Sequence, residues 1–139
     1  MIVLDTNIVS ELIRPYPAAS VVDWVRRQAA LSLYLSSISE AELRYGIEVL
    51  PEGSRRRKLR AAVEGLLKED FAGRILAFGS DAARAYALIA ASRRAAGRPI
   101  SRADCQIAAI ARSVGASVAT RNTDGFEGCG VGVVNPWSD

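Results

Sequence analysis

The chain reads as an α/β protein: a central, mainly parallel sheet with helices on both faces. Two observations predict it. Short apolar runs, bounded by polar or turn residues, alternate along the whole length with longer stretches of helical periodicity, as strand-helix-strand units do. The 139 residues, half of them hydrophobic, suffice for one domain that buries roughly 68% of its unfolded surface. No repeat, low-complexity tract or linker divides residues 1–139.

Ile2, Val3 and Leu4 form an uninterrupted apolar run suited to a buried parallel strand, and Asp5 ends it. From Ile8 the apolar residues recur as Ile8, Val9, Leu12 and Ile13, so strand passes to helix with hardly any loop. Asp5, Thr6 and Asn7 therefore stand at a strand's carboxyl end, the edge at which open α/β sheets bind ligands. Asp5 or Thr6 also suits the helix cap. Pro15 and Pro17 break this helix, and Val21, Val22, Trp24 and Val25 predict a second one to about Gln28. Leu31 to Leu35 reads as a strand. Ala41, Leu43, Ile47 and Leu50 predict a helix from near Ser39 to Pro51, and Ser54 to Asp70 a longer one with Leu59, Val63, Leu66 and Leu67 inward. Arg55, Arg56, Arg57, Lys58 and Arg60 crowd its start, where the helix dipole disfavours cations. Ile75 to Phe78 is a strand, Asp81 caps an alanine-rich helix to about Ala96, and Gly97 and Pro99 close it. Ser101 to about Val114 is helical, ending at Gly115. Ser117 to Ala119 and Val131 to Val134 supply the last strands.

Composition removes whole classes of chemistry. There are no histidines, so imidazole acid/base catalysis, Ser/His/Asp triads and His-ligated zinc are excluded. Cys105 and Cys129 match no CxxC spacing and read as reduced, partly buried residues. Of the 18 basic residues 16 are arginine, which favours bidentate contact with phosphate or carboxylate, and the net charge of +3 suits an anionic partner. The N-terminus lacks the basic region of a signal peptide, and no uncharged apolar stretch reaches membrane-spanning length, so a cytoplasmic protein is expected.

Other acids stand where they could meet Asp5. Glu42 follows Ser39 by three residues in SEAEL, and Asp104 follows Ser101 by three in SRADCQIAAIA, so both fit capping boxes. Asp104 also heads a stripe of Ile107, Ala108 and Ala111 that packs on the sheet, and a carboxylate there needs a partner. Asn122 and Asp124, in ATRNTDGF, follow the end of the Ser117 to Ala119 strand, although Asn, Asp and Gly together also spell a turn. Acids on strand ends and helix starts, without histidine or paired thiolates, describe a site for a hard cation such as magnesium or manganese.

DTN after the first strand, SEAELRYG, DCQIAAIA, TRN after a late strand and the terminal NPW together resemble the PIN domain family, in particular the VapC and FitB type of toxin ribonuclease. The resemblance spans essentially the whole chain in order. It implies a three-layer α/β/α sandwich, a ribonuclease dependent on Mg2+ or Mn2+, a cognate antitoxin partner and a homodimer. It also implies Asp5, Glu42 and Asp104 as metal ligands, a fourth position near Asn122 or Asp124, and Thr6, Asn7 and Thr120 as polar support. Family members commonly carry an acid at the position of Asn122 or of Gly125, and this chain has neither.

The first functional expectation is metal-assisted hydrolysis of RNA phosphodiesters, with Asp5 and Asp104 as principal ligands and Glu42 ligating or orienting the nucleophile. Arg44, Arg102 and Arg121 adjoin these motifs and could hold phosphates or pair with local acids. A catalytically weakened protein-binding or RNA-binding module is the alternative that Asn122 favours. A haloacid dehalogenase-like phosphohydrolase, with Asp5 as nucleophile, lacks its second acid because Asn7 stands there. The helix through Ala82, Tyr86, Leu88, Ile89 and Ala96 shows more apolar surface than a two-sided sheet must cover, which agrees with an interface.

Overall fold

The computed structural model describes residues 1–138. Strands β1 (Ile2–Leu4), β2 (Leu33–Ser36), β3 (Ile75–Leu76), β4 (Ser117–Ala119) and β5 (Val133–Val134) form one sheet in the order β3-β2-β1-β4-β5. Every pairing is parallel. The helices are α1 (Thr6–Leu12), α2 (Ala19–Arg27), α3 (Ser37–Glu48), α4 (Ser54–Gly65), α5 (Ser80–Ala95), α6 (Arg102–Ser113) and α7 (Thr123–Phe126).

Because successive residues of a strand face opposite ways, Val3 and Leu4 feed two separate cores, and neither is exposed at all. Val3 packs with Ile89 of α5, Ile107 and Ile110 of α6, Val118 and Phe126. Leu4 packs with Ile8, Val9, Trp24, Leu35 and Val63, beneath α1 to α4. The expected α/β/α layering follows, each such side chain contributing about 1.5–3 kcal/mol of burial. The sheet order places β1 centrally, with Ile2 opposite both Leu33 and Ser117. The chain leaves β1 toward β2 on one side, and leaves β4 toward β5 on the other. Divergence at that point opens a crevice at the carboxyl ends of β1 and β4.

Several boundaries differ from the sequence expectation. The first helix starts at Thr6, two residues before Ile8, because the Asp5 carboxylate caps it directly. Leu31 lies in a 3-10 turn (Ala30–Ser32) and is 75% exposed, so the strand begins only at Leu33. The cap of α3 is Ser36, whose hydroxyl accepts from the Ser39 amide at 3.1 Å. Ser39 sits inside the first turn, and the expected Ser39–Glu42 capping box does not form. Gly79, not Asp81, precedes the first residue of α5. The helix expected from Ser54 to Asp70 changes at Leu66 into a π-helical turn (Leu66–Asp70). Phe78 lies beyond β3 and packs edge-on against Tyr86, their centroids 6.0 Å apart. Val131 precedes β5.

Much of α5 is interior: Ala82, Ala85 and Ile89 are buried and Tyr86 half-buried, leaving Leu88 as the large apolar side chain that stays outside at 62% exposure. The crowded cations of α4 are partly matched, Arg56 pairing with Glu48 and Glu52, and Arg60 with Glu48. Arg93 is buried near the end of α5. It donates to the carbonyls of Arg98 at 2.6 Å, Glu127 at 2.6 Å and Gly125 at 3.3 Å, tying α5 to α7 and the residue that follows it. Cys105 and Cys129 are free and unpaired with each other, and both are fully buried where only partial burial was expected. Burial pushes the Cys105 thiol up to about 11, which keeps it protonated. Among the described residues no helix is long and apolar enough to cross a membrane.

Candidate metal centre

Asp5 is 5% exposed at the end of β1. Its backbone amide extends the β1–β4 pairing by donating to Ala119 at 2.9 Å, which fixes where the carboxylate points from. Oδ1 accepts from the Thr6 amide at 2.8 Å. Oδ2 accepts from the Thr120 hydroxyl at 2.7 Å and the Asn7 amide at 3.2 Å. The cap and the site are thus one residue, and one carboxylate does both.

From Asp5 the hydrogen bonds run outward in two directions. On one side Thr6 Oγ1 donates to Glu42 Oε1 at 2.8 Å. Its single proton being used there, Thr6 accepts from the hydroxyl of Ser39, also at 2.8 Å. Ser39 is fully buried in the first turn of α3, and Ser36 Oγ reaches it at 3.4 Å. On the other side Thr120 Oγ1 accepts from the Asn122 backbone at 3.0 Å. The Asn122 side-chain amide then donates to Asp104 Oδ2 at 3.1 Å. Asp104 is placed by the start of α6, where Ser101 caps its amide at 3.2 Å as the sequence suggests. Among the described residues Asn122 is the side chain that hydrogen-bonds to this carboxylate.

Of the residues expected at the site, Asp5, Glu42, Asp104 and Asn122 are brought together, with Thr6, Asn7 and Thr120 between them. Asp124 lies within the single turn of α7, exposed, and among the described residues its carboxylate bonds to none of the other acids. Arg44 is spent on ion pairs with Glu40 at 2.9 Å and Glu64 at 2.5 Å. Two contributors escaped sequence reasoning. Ser39 looked like a cap and is a buried prop for Thr6. Gly125 looked like a turn residue, yet a Cβ there would lie 2.3 Å from Asn122 Nδ2, so its bare backbone is what admits the Asn122 amide.

Burial raises the Asp5 carboxyl above its ordinary value, and the charges of Asp104 and Glu42 add to it, against the lowering effect of the Thr120 and Thr6 hydrogen bonds. Among the described residues Asp5, Glu42 and Asp104 have no ion-pair partner. Nor do any three acidic or cysteine side chains there come together closely enough to hold a metal ion by themselves. The donors are carboxylate and amide oxygens, with no sulfur or imidazole. Such a set fits a hard cation that keeps several of its waters, and fits zinc poorly.

The PIN domain family model matches residues 2–129. The chain is 49% identical over 137 residues to the plasmid stability protein StbB of Pseudomonas syringae pv. tomato, covering 99% of each. It is 44% identical over 137 residues to the VapC ribonuclease Y4jK of Sinorhizobium fredii, covering 99% of this chain and 98% of the relative. With the toxin FitB of Neisseria gonorrhoeae it shares 42% over 139 residues, the full length of both. It also superposes on the solved structure of FitAB bound to an IR36 DNA fragment with a TM-score of 0.92 and 41% identity, over 99% of this chain and 96% of that one. Full-length matches well above a shared fold alone, together with the family model, establish that this chain belongs to the PIN domain family.

Proposed function

We propose that this protein is an endoribonuclease toxin that hydrolyses RNA phosphodiesters with Mg2+ or Mn2+ and is held in check by a cognate antitoxin. The observation that carries the reading is Asp5: a buried carboxylate at the switch point of a parallel sheet, its charge opposed by Glu42 and Asp104 and paired, among the described residues, with no arginine or lysine. A folded protein tolerates that arrangement when a cation normally compensates it. Asp5, Asp104 and Glu42 are the residues to hold the ion, and Asn122 offers a neutral oxygen if its amide turns from Asp104. Bound there, the ion supplies charge neutralisation and lowers the pKa of an attacking water. The chain's own part is orientation: Thr6 and Ser39 aim Glu42, Thr120 and Asn7 aim Asp5, and Asn122 aims Asp104.

The full-length relatives named a VapC ribonuclease and the toxin FitB support this activity. A protein partner agrees with the FitAB complexes among the similar structures. We place the protein in the cytoplasm, where its RNA is, and read it as a homodimer, in keeping with exposed Leu88 on α5. Light scattering at micromolar concentration checks the dimer.

A second reading, a PIN-fold binding module with a weakened centre, is favoured by Asn122 and Gly125, since the family resemblance implies an acid at one of these two positions and this chain has neither. Cleavage of a mixed, structured RNA pool with Mg2+ or Mn2+ against chelator, beside Asp5→Ala and Asp104→Ala, separates the two. Metal-dependent cutting lost in both variants supports the nuclease. Equal inertness, with no metal binding by calorimetry, supports the module.

A further inference from the structure

A second polar feature adjoins the acidic crevice and is not used by it. The guanidinium of Arg121 lies over the indole of Trp137, 4.9 Å from the ring centroid. Both line an open cleft of about 500 Å³ with Arg14 and Ser10, and the same cleft is walled by Thr6 and Asn7 of the acidic site. Arg121 is coupled to that site through its backbone. Its amide donates to Asn7 Oδ1 at 3.3 Å, while Asn7 Nδ2 donates to Asp5 Oδ2 at 3.2 Å.

The indole is fixed from behind. Asn135 Oδ1 accepts from the Trp137 amide at 3.0 Å, and the half-buried ring packs against the core that holds Leu4 and Ile8. Among the described residues Arg121 makes no ion pair. The nearest acid of the cleft, Glu11, is already engaged by Arg14 at 3.2 Å and by the Ala18 amide at 2.9 Å. An exposed arginine held flat on an aromatic face has lost part of its rotamer freedom in advance and keeps its planar fork of donors for an anion. Phosphate matches that fork bidentately.

Resting on the ribonuclease reading, we infer that Arg121, positioned by Trp137, anchors a backbone phosphate of the RNA strand next to the acidic crevice. The contact reads phosphate, not base, so it strengthens binding across sequences and sets the strand's register relative to Asp5. Trp137 is a positioning residue that acts through Arg121.

The test is binding of a mixed-sequence, single-stranded RNA of about twelve nucleotides to the full chain in chelator, titrated across salt concentrations. Loss of one charged contact predicts that Arg121→Ala binds about tenfold more weakly. The slope of log affinity against log salt then falls by about 0.7, one phosphate on a single strand. Arg121→Lys keeps the slope and loses affinity. Trp137→Leu weakens wild type but adds nothing to Arg121→Ala, whereas a merely structural tryptophan weakens both equally. In cleavage assays the Arg121 variants raise KM more than they lower kcat. Unchanged affinity and slope in Arg121→Ala, with its melting temperature intact, overturns the inference, as does a wild type that binds no RNA. A chain that binds RNA through Arg121 yet cuts none overturns the nuclease reading and leaves the anchor standing.

Discussion

Asn122 donates its side-chain amide to Asp104 Oδ2 across 3.1 Å, filling with a neutral hydrogen bond the place where a second carboxylate would meet the first. Gly125 makes room for this, and the consequence is a centre whose negative charge is one unit lower than an all-acid version of the same geometry.

Asn122→Asp is therefore expected to trade apo stability for metal affinity. Two carboxylates at this distance repel in the absence of a cation and share it when it is present. The variant should melt below wild type in chelator, show the larger rise on adding Mn2+, and bind the ion about tenfold more tightly, since affinity at oxygen sites follows ligand charge. Calorimetry and thermal melts read both. An identical metal response in the two proteins rules out position 122 as part of the centre.

Asp5→Asn tests the compensation from the other end. The amide keeps an oxygen for the Thr6 backbone and offers hydrogens to Thr120, while removing a charge opposed by burial and by Asp104 and Glu42. In chelator at pH 7 it should melt at least as high as wild type. It should lose the stabilisation by Mg2+ or Mn2+ and all metal-dependent cutting. Melting well below wild type would show that the lost Asn7 hydrogen bond outweighs the charge penalty.

Glu11 gives the fold a specific acid sensitivity. The Ala18 amide, which opens α2, lowers the Glu11 carboxyl below 4.5, and Arg14 helps. A carboxylate with a depressed folded value contributes stability that is present above about 4.5 and is lost as pH falls through that folded value. Glu11→Gln should flatten the stability profile in this acid window and change little near neutrality. Urea midpoints at pH 3 and pH 6 make the comparison, and parallel losses in both proteins would dismiss Glu11 as the titrating group.

Arg93→Leu should cost roughly 1.5–3 kcal/mol or more, the range for one hydrogen bond to a charged group, because it strands the carbonyls of Arg98, Gly125 and Glu127 together. Amide exchange should quicken between residues 123 and 129 before it does in β1. A loss under about 0.5 kcal/mol would mean that water replaces the guanidinium freely.

How much of this was legible beforehand depended on whether the cause was local. The Ile2–Leu4 strand, the α/β layering and the placement of Asp5 and Asp104 follow from periodicity and capping chemistry, which act over a few residues. The capping box at Ser39 failed because Ser36 and Ser39 offer equivalent hydroxyls three residues apart, and only burial against Thr6 chooses between them. The Arg121–Trp137 contact was invisible for a different reason: a sixteen-residue separation that closes only after β5 has returned beside β4. Thr123 to Phe126 reads as a turn and folds as a helical turn, because Phe126 is drawn wholly into the core.

The Asp5–Thr120 hydrogen bond joins residues 115 apart in sequence, and β1 lies between its neighbours at the middle of the sheet. During synthesis Asp5 emerges well before Thr120 and β5, which follow it by 115 residues or more. Contacts of such long separation form late, after the loop between them has closed. A ribosome-bound fragment thus carries the first acid without the hydroxyl that aims it or the strands that wall the crevice. The acidic crevice is therefore complete only after β4 and β5 have been made and have docked beside β1.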